Sequence, residues 1–528
     1  MRATSIGHAG ILIECAAGTI LCDPWFEPAF LGSWFVFPRN DQLPDELVKK
    51  LHSADFLYLS HLHGDHQDEA WLRNNLRREI PILLPDFPST EQRQRLERLG
   101  FTEFIGTQNG VPLELANGLT VAIHVETSIT DGPGGDSALV VSDGVHRLVN
   151  QNDCRTTDTG TLSQHGPIDL HWLQFSGAIW YPMVYELDAE ERLRLCREKV
   201  ESQSSRAMRY VEAVNARAVV PSAGPPAFLD DDLFDLNMVT GDEASIFPDQ
   251  QWFVDRLHNN GRTGILAIPG TVIELNGDEI SVSHPISSAE VDAIFTDQAA
   301  SLERYRNDWK PWLEELHRSW SVEHSDIVSR LAAWWEPLMA LAPTVCEAIG
   351  APIVIRTQGD DSTTLDIIID VAAGKIRAST PEHSQTESCG FRFDIERELL
   401  EQVVNERAVD WSNSLLLSCR FRAWRAGPYN ENVYNFLKSL NHDRMSRTEA
   451  EAKSKSASRN TRDDADDVVV GDFVVQRRCP HRNADLATFG EIDGDDFVCT
   501  LHGWRFNLAT GQCRTSDNHP IRIRRRGT

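Results

Sequence analysis

The sequence has no run of 18 apolar residues, and its first residues lack the apolar core of a signal peptide. Basic side chains are also few. The 51 Lys and Arg face 79 Asp and Glu, which leaves a formal charge of −28. We therefore expect no membrane span, and neither nucleic acid nor an anionic membrane as the main partner. An anionic substrate would need a local basic pocket.

Cysteine is not arranged as the dense framework of a small secreted protein, because most of the ten Cys are scattered over 528 residues. A hydrophobic content of 41% and a charged content of 25% are typical of a soluble globular protein. The length predicts three or four domains.

Two Cys/His pairs stand near the C-terminus, and their members are Cys479, His481, Cys499 and His502. Thiolates and imidazoles are the ligands of a [2Fe–2S] cluster of the Rieske type, with two Cys on one iron and two His on the other. A zinc site is the alternative, but zinc fingers pair Cys with Cys and His with His. The segment resembles the Rieske family, and its H-G-W-R-F continuation resembles Rieske oxygenases. An iron–sulfur site favours a reducing, cytoplasmic compartment.

A second cluster follows the strand predicted at Asp55 to Ser60, where His61, His63, Asp65 and His66 lie within six residues. Neutral imidazole and carboxylate together bind first-row metals. This density of ligand types predicts a metal site at the end of the strand.

The run H-x-H-x-D-H resembles the metallo-β-lactamase superfamily. The resemblance implies an αββα sandwich with metal ligands at one edge of its two sheets. It places His61 and His63 at one metal position and Asp65 and His66 at the other. It also implies catalytic roles for Asp65, His61 and His63.

Three other residues match this family's pattern. Asp23 matches an Asp that orients the ligand loop, and Asp153 matches a late ligand. His124 stands where a further ligand often occurs, although a His on a strand is also a common packing residue. The last His of the family is missing, since Ser222 to Pro225 holds none. An open coordination position suits one iron, or another divalent metal, more than a two-metal hydrolase.

The expected fold class is multi-domain α/β: the sandwich, a helical and α+β middle region, and a small all-β Rieske domain. The α+β segment resembles sterol-carrier-like domains, and a polar stretch after it predicts a flexible linker. The expected ranges are 1–285 for the lactamase-like domain, 286–345 for a helical connector, 346–440 for the α+β domain, 441–467 for the linker and 468–528 for the Rieske domain.

The combination resembles the CMP-N-acetylneuraminate hydroxylases, and more closely the actinobacterial UDP-N-acetylmuramate hydroxylases. Segments that carry the resemblance include Cys22 to Trp25, Ser60 to His63, Gln174 to Tyr185 and Val220 to Pro226. The resemblance implies oxidation of the N-acetyl group of UDP-N-acetylmuramate to N-glycolyl, as a modification of a peptidoglycan precursor. It implies O2 and electrons from NAD(P)H, which a separate reductase, ferredoxin or cytochrome delivers.

Candidates for contacts to the nucleotide sugar are His8, Ser176, Tyr181, Arg155 and Arg422. The arginines suit a diphosphate, but Arg422 also fits a solvated strand face. The loop after Gln174 fits a site lining and a tight turn equally well. Two rival readings stay open. One is a lactonase or phosphodiesterase with a redox-sensing Rieske domain, and the other is an electron carrier without catalysis.

Overall fold

The structure is a computed structural model. It describes residues 1–116, 118–127, 134–238, 244–320, 324–359, 362–381, 389–458, 466–501, 503–516 and 519–526. The chain forms two compact units. The first consists of Met1–Ala178 and Leu193–Trp309, and the second of Ile179–Arg192 and Lys310–Thr528.

Two sheets make up most of the first unit. The strands of the first sheet are β1 Arg2–Gly7, β2 Gly10–Cys15, β3 Gly18–Cys22, β5 Phe56–Tyr58, β6 Ile82–Leu84, β7 Phe104–Gly106, β15 Val272–Asn276 and β16 Glu279–Ser283, in the order β16-β15-β1-β2-β3-β5-β6-β7. Those of the second are β8 Leu113–Ala116, β9 Leu119–Glu126, β10 Asp136–Ser142, β11 Arg147–Asn152, β12 Leu170–Gln174 and β13 Ala218–Ser222, in the order β13-β12-β11-β10-β9-β8. A short separate pair joins β4 Phe35–Val36 to β14 Pro226–Ala227.

The two sheets bury one shared core, with Ile13 and Ile20 from the first sheet and Val121 and Trp172 from the second. Three helices cover the outer face of the first sheet: Asp45–His52, Glu69–Asn75 and Glu91–Arg98. The helix Ala189–Val214 contributes Val214 to the core on the other outer face. The predicted αββα sandwich is therefore confirmed.

Further helices of this unit are Gly160–Ser163, Gln250–Asn259, Ser288–Thr296 and the 3₁₀ turn Phe234–Leu236, and the helix Gln298–Ser319 belongs partly to each unit.

Within each sheet, several strands run parallel. β3, β5, β6 and β7 do so in the first sheet, and β11, β12 and β13 in the second. Loops that follow parallel strands gather at their carboxyl ends, which is where sites in such sheets form.

The second unit contains a sheet of order β19-β18-β17-β20-β21. Its strands are β17 Ile353–Gln358, β18 Thr364–Asp370, β19 Lys375–Ser379, β20 Phe391–Asp394 and β21 Arg422–Arg425. The helices are Ile327–Leu341, Pro343–Ile349, Arg397–Asn405, Glu431–Leu437 and His442–Ser458, with a π turn at Ser412–Leu416. The C-terminal part holds two small sheets and the helix Leu486–Phe489. The sheets are β22 Val468–Val470 with β23 Phe473–Val475 and β27 Ile523–Arg525, and β24 Gly490–Asp493 with β25 Asp496–Cys499 and β26 Trp504–Asn507.

The predicted flexible linker, 441–467, is wrong for most of its length, because His442–Ser458 is a helix. Residues 459–465 lie outside the described part of the chain. Polar contacts hold the helix where apolar residues are scarce. The Glu449 carboxylate accepts hydrogen bonds from the backbone of Thr344 and Val345, and Met445 is fully buried.

In the described part of the chain, no helix combines the length and apolarity that crossing a bilayer requires.

Candidate functional site

The loop after β5 carries the first site, and Asp23 organises it. Asp23 follows β3, which is the parallel neighbour of β5, with a positive φ of 41°. One carboxylate oxygen accepts the amide hydrogen of Ser60 at 2.7 Å, and the other lies 3.1 Å from Nδ1 of His66. The carboxylate thus fixes both the start of the loop and one imidazole in it. The family resemblance implies that Asp23 orients the ligand loop, and these contacts are compatible with that role.

Two sets of buried side chains bring metal-binding atoms within 4.8 Å of one another: His8 with Asp65 and His66, and His61 with His66 and Asp153. His66 Nε2 lies 3.5 Å from Asp153 Oδ1 and 3.8 Å from Asp65 Oδ2. Asp23 contacts the other nitrogen of His66, so only Nε2 is directed at a metal. Because both sets include His66 Nε2, they adjoin each other around this nitrogen.

The charges in this centre act in opposite directions on neighbouring imidazoles. Burial lowers the pKa of His61 far below its ordinary value, and the positive charge of His66 adds to that effect. Burial opposes the charged form of His66 as well. There the carboxylates of Asp65 and Asp153 outweigh it, and the pKa of His66 rises well above its ordinary value. Burial would raise the pKa of Asp65, but His66 and His8 hold it well below the usual range.

The donor set fits a first-row metal ion. Five buried atoms have no hydrogen-bond partner among the described residues: His8 Nδ1, His63 Nε2, Asp65 Oδ1, His66 Nε2 and Asp153 Oδ1. Buried polar atoms normally have partners, and a missing ion is one reason for an exception. Imidazole with carboxylate suits iron and zinc alike.

The structure also places the other predicted ligands. His63 Nδ1 lies 2.9 Å from His61 Nε2, so these two nitrogens face each other beside the His66 centre. His124 is not part of either ligand set in the described residues. Its Nε2 lies 2.6 Å from that of His165, and burial lowers the pKa of His124 to about 4. The structure therefore favours the packing alternative for His124.

Sequence reasoning assigned two residues of this centre incompletely. His8 was a candidate for substrate contact, yet its Nε2 lies 3.1 Å from Asp65 Oδ2 and joins a ligand set. Asp136, which opens β10, lies 3.5 Å from His61 Nδ1 and was not predicted. The backbone of His8 has a positive φ of 52°, in a turn that no local sequence motif predicts.

The remaining candidate contacts divide between the two units. Arg155 is half-buried, and its positive charge adds to burial and to the neighbouring imidazoles in lowering the pKa of His61. In the first unit Ser176 is buried. In the second, Tyr181 lies under the guanidinium of Arg425 at 5.0 Å, and Arg422 is exposed on β21.

The second site surrounds the Cys/His pairs. Cys479, His481 and Cys499 are buried, while the predicted ligand His502 lies outside the described residues. Cys479 opens a turn in which its carbonyl accepts the amide hydrogen of Asn483 at 3.0 Å. Cys499 ends β25, and the His481 ring stacks on Trp504 at 3.9 Å. Two buried thiols and a buried imidazole, carried by the Cys479 turn and the end of β25, are the ligand types of a Rieske iron–sulfur cluster.

Glu431 is the residue of the second site that sequence reasoning missed. It opens the helix Glu431–Leu437, and its carboxylate lies 3.1 Å from His481 Nε2 and 3.5 Å from His519 Nε2. Burial would raise the pKa of Glu431, but the close contacts with the imidazoles of His481 and His519 hold it well below the usual range. With Nε2 bound to this carboxylate, His481 would ligate iron through Nδ1.

Two family models match parts of the second half of the chain. Residues 327–454 match the family described as "Rv3818-like, SCP2-like domain", and residues 449–522 match the Rieske [2Fe-2S] domain. The chain is 30% identical over 189 residues to the cytidine monophosphate-N-acetylneuraminic acid hydroxylase of Danio rerio. This alignment covers 34% of this chain and 30% of that protein. The predicted Rieske domain and the relationship to these hydroxylases are thereby confirmed.

Similar solved structures include Igni18, a metallo hydrolase from Ignicoccus hospitalis. Its TM-score is 0.35 at 18% identity, over 52% of this chain and 99% of that chain. CmlA, a diiron β-hydroxylase from Streptomyces venezuelae, has a TM-score of 0.33 at 17% identity, over 52% and 54%.

Mycobacterial proteins are similar to this chain over nearly its whole length. The chain is 40% identical over 533 residues to the Rieske 2Fe-2S iron-sulfur protein Rv3818 of Mycobacterium tuberculosis, and the alignment covers 99% of this chain and 100% of that protein. A Rieske protein of Mycolicibacterium smegmatis is equally similar. The chain therefore belongs to the family of Rv3818-like Rieske [2Fe–2S] proteins.

Proposed function

We propose that this chain is a Rieske-dependent monooxygenase that hydroxylates the N-acetyl group of a nucleotide amino sugar. The proposed reaction converts UDP-N-acetylmuramate to UDP-N-glycolylmuramate, which modifies a peptidoglycan precursor. One observation carries the proposal. A single chain combines a buried His/Asp metal centre with a Cys/His cluster segment. Hydrolysis needs no electrons and electron carriage needs no second metal centre, whereas O2-dependent hydroxylation uses both.

The reaction balances with reagents of known class. One atom of O2 enters a C–H bond of the acetyl methyl group, and the other leaves as water. Two electrons and two protons complete the balance. NAD(P)H supplies the electrons through a separate reductase, ferredoxin or cytochrome. When bound, the cluster supplies one-electron transfer and a mononuclear iron supplies O2 activation.

The chain's own residues hold and shield the centre. His66, Asp65 and Asp153 provide its ligand atoms, and Asp23 orients His66. All four side chains are at least nine-tenths buried, so bulk water has little access. Exclusion of water protects reactive species from side reactions. The absence of a His in the sequence from Ser222 to Pro225 supports an open coordination position.

The relatives support the choice of substrate class. The hydroxylases of Danio rerio and Mus musculus are named for an N-acetylated sugar acid on a cytidine nucleotide. Muramate is also a sugar acid, and its nucleotide is anionic. Arg155, whose positive charge acts on His61, provides a cationic group in an otherwise acidic chain.

The test uses the full chain, purified without oxygen and with its cluster intact. It is mixed with UDP-N-acetylmuramate, NADPH, a reductase and isotope-labelled O2, and the product is analysed by mass spectrometry. We expect the gain of one labelled oxygen atom in the N-acyl group. No gain with a loaded cluster, together with hydrolysis of a lactone or phosphodiester, would establish the hydrolase instead. Zinc as the sole metal of the first centre would also contradict the proposal.

A further inference from the structure

The face of β12 and β13 that lines the core changes character at its carboxyl end. Side chains at alternate positions of a strand share one face. The first residues on the inner face of these strands are apolar and pack in the core between the two sheets. They are Leu170, Trp172, Ala218 and Val220. The same alternation continues to Gln174 and Ser222, which are partners in the parallel register. The inner face thus becomes polar at the end of the strands.

Ser176 lies two residues beyond the end of β12. A Cβ atom placed on Gly224 would lie only 2.2 Å from Ser176 Oγ. Gly224, with a φ of 143°, therefore leaves the space that the Ser176 hydroxyl occupies. Gln174 and Ser222 are paired in the register, and Ser176 lies against Gly224, two residues after Ser222. We call Gln174, Ser176 and Ser222 the polar triad.

The triad is buried and has unused hydrogen-bonding capacity. The exposed fractions of Gln174, Ser176 and Ser222 are 6%, 1% and 2%. Gln174 Nε2, Ser176 Oγ and Ser222 Oγ have no hydrogen-bond partner among the described residues. Buried polar groups are normally paired, so three unpaired groups in the triad indicate a place for a bound group.

The triad adjoins the metal centre. The amide of Ala223, next to Ser222, donates a hydrogen bond of 3.1 Å to the carbonyl oxygen of His8. The imidazole of His8 belongs to a metal-binding set. Asp153 follows β11, which is the parallel neighbour of β12, so triad and metal ligands share the carboxyl edge of this sheet.

We propose that the polar triad binds the amide of the N-acetyl group, an inference that rests on the proposed function. One amide donor and two hydroxyls can serve both the carbonyl oxygen and the N–H of an amide. None of the three side chains is charged, so the triad does not suit a phosphate, which favours Arg or Lys. The acetyl methyl is bonded to the amide carbonyl. Binding of that amide next to the His8 segment would therefore bring the methyl group near the metal-binding sets.

The first test asks whether the triad binds an amide, whatever the full substrate is. The probe is N-methylacetamide, and binding is detected by saturation-transfer NMR on the full chain. We expect saturation transfer with the wild type and its loss in the double variant Ser176→Ala with Ser222→Ala. Thr357→Val is the matched control, since the Thr357 hydroxyl in the second unit is also buried without a hydrogen-bond partner. Equal transfer in the double variant and the control would overturn the assignment.

The second test separates this inference from the proposed function. With UDP-N-acetylmuramate as substrate, each single Ser→Ala variant should raise KM about tenfold, the usual cost of one lost hydrogen bond. Cluster EPR and circular dichroism should match the wild type, which shows that the variants fold. If the Ser→Ala variants hydroxylate the substrate with an unchanged KM, the triad assignment is wrong and the proposed hydroxylase function is retained. Probe binding that depends on the triad without any oxygen incorporation retains the triad and rejects the substrate.

Discussion

The two sites of this chain use the same pair of groups, a buried imidazole and a buried carboxylate, in different proportions. Around His66, three carboxylates surround one ring, and the pKa values of His66 and His61 move in opposite directions. Around His481, one carboxylate contacts two rings. The first arrangement concentrates negative charge on one point, as a cation requires. The second has the form of a fixed outer contact to a ligand.

The difference shows how each site is supported. Asp23 holds His66 from the next strand of the same sheet. Glu431 holds His481 from a helix that lies 50 positions earlier in the sequence. In both cases a carboxylate contacts one imidazole nitrogen, and the other nitrogen has no hydrogen-bond partner among the described residues. We therefore expect substitution of a ligand to abolish metal or cluster binding. Substitution of a supporting carboxylate should change the metal affinity or the reduction potential instead.

The largest effect should follow from replacement of a cluster ligand. Cys499→Ser removes a buried thiol at the end of β25, and we expect loss of both the cluster EPR signal and hydroxylation. Iron in the first centre, measured by metal analysis, should remain. The control is Cys196→Ser, because Cys196 is equally buried but lies in the first unit on the helix Ala189–Val214. A cluster signal that survives in Cys499→Ser would remove this residue from the ligand set.

Replacement of His66 should affect the first metal centre and leave the cluster intact. His66→Ala removes the imidazole that both metal-binding sets share, so the first centre should lose its metal and hydroxylation should cease. The cluster EPR signal should remain. His63→Ala should also stop hydroxylation with an intact cluster signal, since its ring faces His61. His146→Ala provides the control, because His146 is a buried His of the same unit outside both sets.

These two sites also show what can be predicted from sequence. Ligands that follow one strand, such as His61 to His66, are visible because their density is chemically unusual. Asp153 and Asp23 are predictable only through resemblance to a family. His8 and Glu431 reach their sites through tertiary contacts, 57 and 50 positions from their partners Asp65 and His481. No local pattern marks them.

The helix His442–Ser458 was missed for a different reason. Its composition resembles a linker because few residues are large and apolar. Met445 and Glu449 are four positions apart and both buried, so they share one helix face. Glu449 accepts backbone hydrogen bonds at the start of the helix Pro343–Ile349. A buried carboxylate thus replaces apolar packing, and a composition count does not detect this.

An intermediate effect is expected when the support of the first centre is weakened. Asp23→Asn keeps the shape of the side chain but removes the charge beside His66 Nδ1. Loss of such an outer contact typically lowers metal affinity by about 10- to 100-fold. Iron affinity can be measured by competition with a chelator, and the cluster should be unaffected. Asp143→Asn is the control, because that carboxylate contacts Met1 and His146 outside both metal-binding sets. Equal iron affinity in both variants would show that Asp23 does not support the centre.

The smallest effect is expected at Glu431 and concerns the potential of the cluster. Glu431→Gln preserves a hydrogen-bond acceptor for His481 and removes one buried negative charge. Negative charge near the cluster favours its oxidised form, so the variant should have the higher reduction potential. A change of about 1.4 kcal/mol corresponds to about 59 mV for one electron, and we expect a rise on that order. Glu449→Gln is the matched control, because Glu449 is a buried Glu of the same unit that contacts Thr344 and Val345 instead. Redox titration followed by EPR measures both potentials. An unchanged potential in Glu431→Gln would mean that this carboxylate only holds the segments together, and the parallel between Glu431 and Asp23 would then fail.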